Sequence, residues 1–206
     1  MDSIDPRTAA LVIQDLQNDV IIEGGAFADS GAPAHATAQN VVENVKNLAA
    51  ACRSAGVPVI HVWYIVEPGA TGLKQNAPLF QGVKEANALV RGTWGAAPAE
   101  GLEPDEGDYV VEKMRMNGFY ETRLDILLRG LGVETLIVSG AWTNMSIEHT
   151  ARHAADAGYR AVVPSDGTST TGDEWQNVAL NYAMQNVAMV ATCSEIAEAL
   201  GVTVNA

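Results

Sequence analysis

Short apolar runs alternate with amphipathic stretches along most of the chain. The runs predict buried β-strands, because a strand covered on both faces of a parallel sheet is apolar almost throughout. Six such strands are predicted, at residues 8–13, 57–64, 108–112, 136–138, 159–164 and 187–191. Strands that alternate with helices predict an α/β fold, a doubly wound parallel sheet with helices on both faces.

The stretches between the strands predict helices. The clearest spans 37–54, where Val41, Val45, Leu48 and Cys52 share one face. Others are predicted at 81–89, at 123–129, from 147 onward, at 174–185 and at 195–200. Residues 23–36, rich in Gly, Ala, Ser and Pro, are predicted to form a long mobile loop that belongs to a lid. The connection over 67–108 is long enough to predict a cover for an active site or a subunit contact.

Composition narrows the classes of partner and location. The chain has 206 residues, 48% of them hydrophobic, and this length and content predict one domain over 1–206. Its formal net charge of -13 argues against nucleic acid or an anionic membrane surface as a partner. Cys52 and Cys193 lie far apart in the sequence, which favours unpaired thiols in a reducing compartment. No charged-then-apolar leader and no membrane-spanning apolar run are visible, so we expect a cytoplasmic protein.

Candidate chemistry lies where predicted strands end. Ser146 follows the apolar run 136–138 and Gly140, near the first turn of a helix, where free N–H groups and the helix dipole suit a nucleophile and an oxyanion. Asp15 follows the first strand, where a general base could act, and Lys113 closes the third. Each has a purely structural alternative: a helix cap for Ser146, a turn residue for Asp15 and a surface side chain for Lys113.

Five aromatic side chains are candidates for the walls of a substrate pocket, and they suggest a partly apolar or planar substrate. They are Trp63 at the end of the second strand, Trp94 on a Gly-rich loop, Phe119 and Tyr120 after the third strand, and Trp142 before Ser146.

Histidine spacing argues against a metal site. His61 has no further His or Asp ligands at close spacing, so it is predicted to pack in the core or a pocket wall. His149 and His153 lie one helical turn apart, but the His-Glu-x-x-His pattern is absent, which favours a solvated or subunit-facing surface. We therefore expect no metal and no other cofactor.

Four segments taken together resemble the isochorismatase-like hydrolases, also called the cysteine hydrolase family, which includes nicotinamidases, N-carbamoylsarcosine amidohydrolase, and ureidoacrylate and biuret hydrolases. The segments are at 11–19, 111–113, 117–124 and 140–147, and their order and spacing extend the resemblance over nearly the whole chain. It implies a sheet order of 3-2-1-4-5-6 and hydrolysis of a small amide, carbamoyl or ureido compound. A homo-oligomer, a dimer or tetramer, is also expected.

The resemblance also implies roles for individual residues. Asp15 and Lys113 match the aspartate and the lysine of the family's Asp-Lys-Cys triad, and Ser146 lies at the position of the nucleophile. An unusual cis peptide is implied between Ala141 and Trp142, which would aim the N–H groups of Trp142 and Ser146 at the oxyanion. The metal-binding Asp-x-His set of nicotinamidases is missing after the second strand, which counts against that activity.

Serine at the nucleophile position departs from the amidase pattern, since a hydroxyl ionises far less readily than a thiol. The intact surroundings favour a serine introduced for a native cysteine, which would trap substrate. Alternatively, Ser146 is native and catalytic, or the chain has become a binding protein. Relatives that hydrolyse vinyl ethers such as isochorismate lack the cysteine and use the aspartate as an acid, so an ether hydrolase that uses Asp15 is a further alternative.

Overall fold

The computed structural model describes residues 1–202, which form a single α/β domain around one parallel sheet. Its strands in this part of the chain are β1 (Ala9–Gln14), β2 (Val59–Tyr64), β3 (Tyr109–Lys113), β4 (Thr135–Ala141), β5 (Arg160–Pro164), β6 (Thr168–Ser169) and β7 (Ala188–Ala191). The order is β3-β2-β1-β4-β5-β7, and β6 pairs with β4 alone. The implied order is confirmed, with the predicted sixth strand now β7. The two residues of β6 are too few to produce an apolar pattern.

Helices cover both faces of the sheet. They are α1 (Asn18–Ile21), α2 (Ala32–Ala38), α3 (Val41–Ser54), α4 (Pro78–Glu85), α5 (Leu124–Gly130), α6 (Glu148–Asp156), α7 (Asp173–Val178) and α8 (Cys193–Ala199). Short π-helical segments, Thr143–Ile147 and Ala179–Ala183, precede α6 and follow α7. Within 1–202, no helix has the length and apolar character needed to cross a bilayer.

Strand β1 shows why the sheet needs helices on both sides. All six of its residues are buried. Ala9, Leu11 and Ile13 pack into one hydrophobic cluster, and the alternating Ala10 and Val12 pack into another on the opposite face. Because successive side chains of a strand point to opposite faces, an apolar residue at every position requires two covered faces.

Two predictions about the region before β2 are wrong. The predicted helix 37–54 is broken, because Asn40 adopts a left-handed backbone (φ 52°) between α2 and α3, a conformation that asparagine tolerates better than most residues. The predicted mobile loop 23–36 contains the start of α2, which has proline in its first turn. His35 Nδ1 accepts a hydrogen bond from the Thr170 N–H at 3.2 Å, which fixes α2 to the chain after β6.

The two cysteines are free and buried. Burial raises the pKa of the Cys52 thiol to about 12 and raises that of Cys193 further. Neither thiol is therefore ionised near neutral pH, and both behave as core side chains.

Candidate active site

The ends of three strands bring Asp15, Lys113 and Ser146 together. Asp15 directly follows β1, Lys113 ends β3, and Ser146 lies in the π-helical segment after β4. Lys113 Nζ donates to Asp15 Oδ2 at 2.7 Å and to the Arg115 carbonyl oxygen at 2.9 Å. It also lies 4.7 Å from the centre of the Tyr64 ring. The lysine is thus a buried ammonium whose position is fixed from three sides.

Asp15 and Lys113 hold their charges only through each other. Burial raises the pKa of the Asp15 carboxyl, and the Lys113 ammonium opposes that shift. Burial likewise lowers the pKa of Lys113, opposed by the Asp15 carboxylate. A buried pair of this kind is poised for proton transfer, because small changes nearby alter which group holds the proton.

The two oxygens of the Asp15 carboxylate differ in whether they accept a hydrogen bond. Asp15 Oδ1 is buried and has no hydrogen-bond partner among the described residues. Ser146, itself 7% exposed, lies beside this carboxylate and acts to lower its pKa. The pocket wall includes both residues. The carboxylate therefore has one oxygen held by Lys113 and one free to accept a proton.

The turn that carries Ser146 is fitted closely against β1. Gly140 has a φ of 128°, and a Cβ there would collide with the Gln14 carbonyl oxygen, so only glycine fits. Gln14 Nε2 donates to the Ser146 carbonyl oxygen at 2.9 Å. The Ala141–Trp142 peptide is cis, at the position that the resemblance implied. Within residues 1–202 the Trp142 N–H has no backbone acceptor.

Polar side chains after Asp15 attach the 67–108 connection to the site. Gln17 Nε2 donates to the carbonyl oxygens of Tyr64 at 3.0 Å and Ala96 at 2.7 Å. The Asp19 carboxylate accepts the Leu89 N–H at 2.7 Å. Because α4 and Leu89 belong to this connection and line the pocket, the connection covers the site, one of the two predicted roles.

The resulting pocket is narrow and mostly apolar. Its free volume of about 40 Å³ has room for about three water molecules. Its wall consists of Asp15, Val20, Phe27, Tyr64, Leu79, Val83, Leu89, Met116, Ala141, Trp142, Met145 and Ser146.

Of the five aromatic residues predicted to line a pocket, the structure places only Trp142 in this wall. Trp94 and Tyr120 are 56% and 55% exposed, and Phe119 is stacked between His153 and Tyr159. Trp63 lies on the strand face away from the pocket.

Trp63 and Tyr64 both lie at the carboxyl end of the second strand, where either could line a pocket. Trp63 is the candidate named from the sequence, whereas the pocket uses Tyr64. Tyr64 is in register with Lys113 on β3, so the alternation of β2 places Tyr64, and not Trp63, on the side of Lys113. Had Lys113 been used to select the face, the pattern would have identified Tyr64. The apolar wall from Phe27, Leu79, Val83 and Leu89 has no comparable signal, because isolated apolar residues in loops and short helices are common.

His61, His149 and His153 lie outside the pocket that contains Asp15 and Ser146. His61 Nε2 lies 3.1 Å from Asp108 Oδ2, at the other end of β3. His149 and His153 are on the exposed side of α6. Within 1–202, no group of three or more His, Cys, Asp or Glu side chains is arranged to hold a metal ion.

Comparison with known proteins places this site in a family. The Isochorismatase domain model matches residues 9–195. The chain belongs to the isochorismatase family. It is 35% identical over 186 residues to the ureidoacrylate amidohydrolase RutB of Methylobacterium radiotolerans, covering 84% of this chain and 71% of that protein.

Solved structures agree with this assignment. A cysteine hydrolase from Pseudomonas syringae pv. phaseolicola superposes with a TM-score of 0.86 at 25% identity, covering 98% of this chain and 96% of the other. The N-carbamoylsarcosine amidase of Thermoplasma acidophilum superposes with a TM-score of 0.72 at 26% identity, covering 92% and 98%. The family and fold implied by the sequence resemblance are confirmed.

Proposed function

We propose that this isochorismatase-family protein hydrolyses a small amide, carbamoyl or ureido compound at Asp15, Lys113 and residue 146. The observation that carries the proposal is the Asp15 carboxylate. Lys113 holds its Oδ2, and its Oδ1 is buried beside Ser146 with no hydrogen-bond partner within residues 1–202. The relatives named as an amidohydrolase and an amidase support C–N bond cleavage.

The arrangement supports a covalent mechanism. Asp15 Oδ1 takes the proton of the nucleophile at 146, which attacks the carbonyl carbon. The N–H groups of Trp142 and residue 146 stabilise the oxyanion. Asp15 then returns the proton to the leaving nitrogen as the C–N bond breaks. Asp15 next deprotonates a water molecule that releases the acid, while Lys113 holds the charge of Asp15 in place.

Serine makes the first proton transfer difficult. A thiol has a pKa near 8.5, whereas an alcohol is far less acidic and needs a stronger base than a single carboxylate. We therefore expect the Ser146 protein to bind substrate and to turn it over slowly. Whether the serine is native or introduced does not change this expectation.

A second candidate is hydrolysis of a vinyl ether such as isochorismate. Two observations favour it: burial raises the pKa of Asp15, which suits a general acid, and the mechanism needs no nucleophile at 146. Asp15 would protonate the vinyl carbon of the substrate, and water would add to the resulting oxocarbenium ion. The hemiketal would then break its ether C–O bond and release the alcohol and the keto acid, with the proton from water returned to Asp15.

The test presents amides, ureas, hydrazides and isochorismate to the Ser146 protein and to Ser146→Cys, with ammonia release and isochorismate loss measured. We expect Ser146→Cys to raise amide hydrolysis at least about a hundredfold, or 2.7 kcal/mol of barrier. The matched control is Ser139→Cys, a buried serine that donates to the Val12 carbonyl oxygen outside the pocket, and it should change no rate.

The possible results distinguish an amidase from an ether hydrolase and from a binding protein. Equal amide rates for the two proteins would contradict the nucleophile assignment. Isochorismate turnover with Ser146 in place and no gain from cysteine would establish the ether hydrolase. Tight binding of a small amide with no turnover by either protein would indicate a binding protein.

Homo-oligomerisation, a cytoplasmic location and independence from cofactors stay predictions from the sequence. The first is measured by light scattering coupled to size-exclusion chromatography. Trp175, Val178 and Tyr182, in α7 and the π-helical segment after it, have exposed side chains, so substitutions there would report on any contact between copies.

A further inference from the structure

Two buried polar atoms in the pocket wall have no role in the proposed chemistry. The Tyr64 hydroxyl and the Trp142 indole Nε1 are both buried, and neither has a hydrogen-bond partner among the described residues. Both residues line the same pocket as Asp15 and Ser146. A buried polar atom without a partner disfavours the folded state, so two of them beside a reactive carboxylate point to a ligand that pairs with them.

The remainder of the wall offers no charge to a ligand. Apart from Asp15, the pocket residues are uncharged, and most are apolar. Lys113 is buried behind Asp15, with its ammonium already used by Asp15, by the Arg115 carbonyl oxygen and by the Tyr64 ring. An anionic ligand would therefore lose its hydration next to a carboxylate and gain no free cation in return.

A further cation near the pocket, Arg115, already has partners outside it. The Arg115 guanidinium lies 4.2 Å from the centre of the Phe80 ring. It donates to the Lys74 carbonyl oxygen at 3.0 Å and to Asn76 Oδ1 at 3.2 Å. Arg115 lines a more open groove that shares Met116 with the pocket. Its charge reaches Tyr64, but it is the smallest of the effects on the pKa of that hydroxyl, so this engaged guanidinium compensates a buried anion poorly.

We propose that the substrate is an uncharged amide, carbamoyl or ureido compound with a small apolar substituent, recognised by the Trp142 indole N–H and the Tyr64 hydroxyl. The indole N–H can only donate, so it pairs with an oxygen of the substrate, whereas the hydroxyl can donate or accept. The reaction type rests on the proposed function, but the preference for a neutral ligand rests on the pocket wall. It sets this chain apart from the relatives named for ureidoacrylate, which carries a carboxylate.

The electrostatics of Tyr64 agree with this recognition. Burial, reinforced by the nearby Asp15 carboxylate, raises the pKa of the Tyr64 hydroxyl. The Arg115 guanidinium opposes this shift with a smaller effect. The hydroxyl is therefore a neutral hydrogen-bonding group near neutral pH, and it adds no charge to the pocket.

Binding to the Ser146 protein tests the charge preference without requiring turnover. The probes are 3-methylbutanamide and malonamate, which differ in an isopropyl group against a carboxylate of the same shape. Titration calorimetry should give a Kd for 3-methylbutanamide at least about tenfold lower than for malonamate. Equal or tighter binding of malonamate, or no binding of 3-methylbutanamide, would overturn the proposal.

Two conservative variants test the recognising atoms. Tyr64→Phe and Trp142→Phe each remove one polar atom and keep an aromatic ring, and each should weaken binding of 3-methylbutanamide about fivefold. Since the Tyr64 hydroxyl has no hydrogen-bond partner among residues 1–202, Tyr64→Phe should also leave the melting temperature unchanged or raised. A merely structural tyrosine would show the opposite pattern, with lowered stability and unchanged affinity.

The matched control is Tyr159→Phe. Tyr159 donates to Asp125 Oδ1 at 2.9 Å, outside the pocket, so this variant should lose stability and keep its affinity for 3-methylbutanamide. Unchanged affinity in both pocket variants would overturn the assignment of Tyr64 and Trp142.

Turnover by Ser146→Cys distinguishes the neutral-substrate proposal from the amidase proposal on which it rests. If Ser146→Cys hydrolyses malonamate faster than 3-methylbutanamide, the amidase proposal survives and the neutral-substrate proposal fails. If Ser146→Cys hydrolyses neither while the Ser146 protein binds 3-methylbutanamide in preference, the pocket proposal survives and the reaction type fails.

Discussion

Strand β3 has a charged cluster at each end, and the two differ in how completely their polar atoms are paired. Before the strand, Asp108 accepts from Arg53 Nη2 at 2.6 Å and from the Asp105 N–H at 2.9 Å, and it contacts His61 Nε2 at 3.1 Å. Its other oxygen accepts from Arg53 Nε at 3.2 Å. Both oxygens are used, so nothing is left for a substrate.

At the end of β3, the Lys113–Asp15 pair is incomplete. In the part of the chain that the structure describes, Asp15 accepts a side-chain hydrogen bond through Oδ2, and Oδ1 is left buried beside Ser146 without a partner. The pKa directions differ as well. Asp108 is also buried, but Arg53, the Asp105 N–H and His61 outweigh that effect and lower its pKa, whereas burial dominates at Asp15 and raises the pKa there. A fully paired cluster stabilises the fold, and an incomplete one is available for chemistry.

The largest expected effect is at the incomplete cluster. In a Ser146→Cys background, Lys113→Met should lower kcat/KM for amides at least about a thousandfold, because the nucleophile and Asp15 lose the cation that balances their charge. Steady-state ammonia release measures the rate, and circular dichroism confirms the fold. Full activity in this variant would show that the triad assignment is wrong.

A substitution in the fully paired cluster around Asp108 should lower stability and leave activity unchanged. Asp108→Asn removes the carboxylate that pairs with His61 and with Arg53, and leaves Arg53 its exposed partner Asp105. It should cost about 3 kcal/mol of unfolding free energy in urea titrations. A lowered pKa means that the contribution of Asp108 is complete above the unfolded value of about 3.9 and is lost as the pH falls through the folded value. The difference between the two proteins should therefore shrink near pH 3.

The same variant provides the control for the catalytic cluster. In the Ser146→Cys background, Asp108→Asn should leave kcat/KM within about twofold at a temperature where both proteins are folded. A large loss of activity would mean that the two ends of β3 are coupled, and the comparison would fail.

The smallest expected effect on stability comes from removing both charges of the incomplete pair. The double variant Asp15→Asn with Lys113→Met leaves no uncompensated charge, so its unfolding free energy should match that of the parent within about 1 kcal/mol or exceed it. Its amidase activity in the Ser146→Cys background should be absent. A loss of several kcal/mol would instead indicate that the pair serves the fold.

The convergence of Asp15, Lys113 and Ser146 could be predicted from the sequence. Asp15 and Lys113 each stand at the end of an apolar run, and Ser146 follows one closely. In a parallel sheet those ends share one edge. The position of Lys113 opposite Tyr64 in the register also makes the face of β2 predictable in principle.

Other features depend on contacts that no local pattern records. The break at Asn40 falls within a continuous amphipathic pattern and is visible only as a left-handed residue. The attachment of the 67–108 connection uses Gln17, Asn18 and Asp19, polar residues that read as a surface turn but are buried because their partners come from some 70 residues away. The apolar pocket wall follows from that attachment.

The most direct test of the central claim, that the site activates a nucleophile at residue 146, is the pH dependence of alkylation of Ser146→Cys by iodoacetamide, followed by intact-protein mass spectrometry. Cys52 and Cys193 are internal controls, because burial raises the pKa of both. We expect one adduct at pH 7, on the introduced thiol, with an apparent pKa below the free value of about 8.5. A saturating amide should protect the thiol. An introduced thiol that reacts no faster than the two buried cysteines, or that titrates at or above 8.5, would contradict the account.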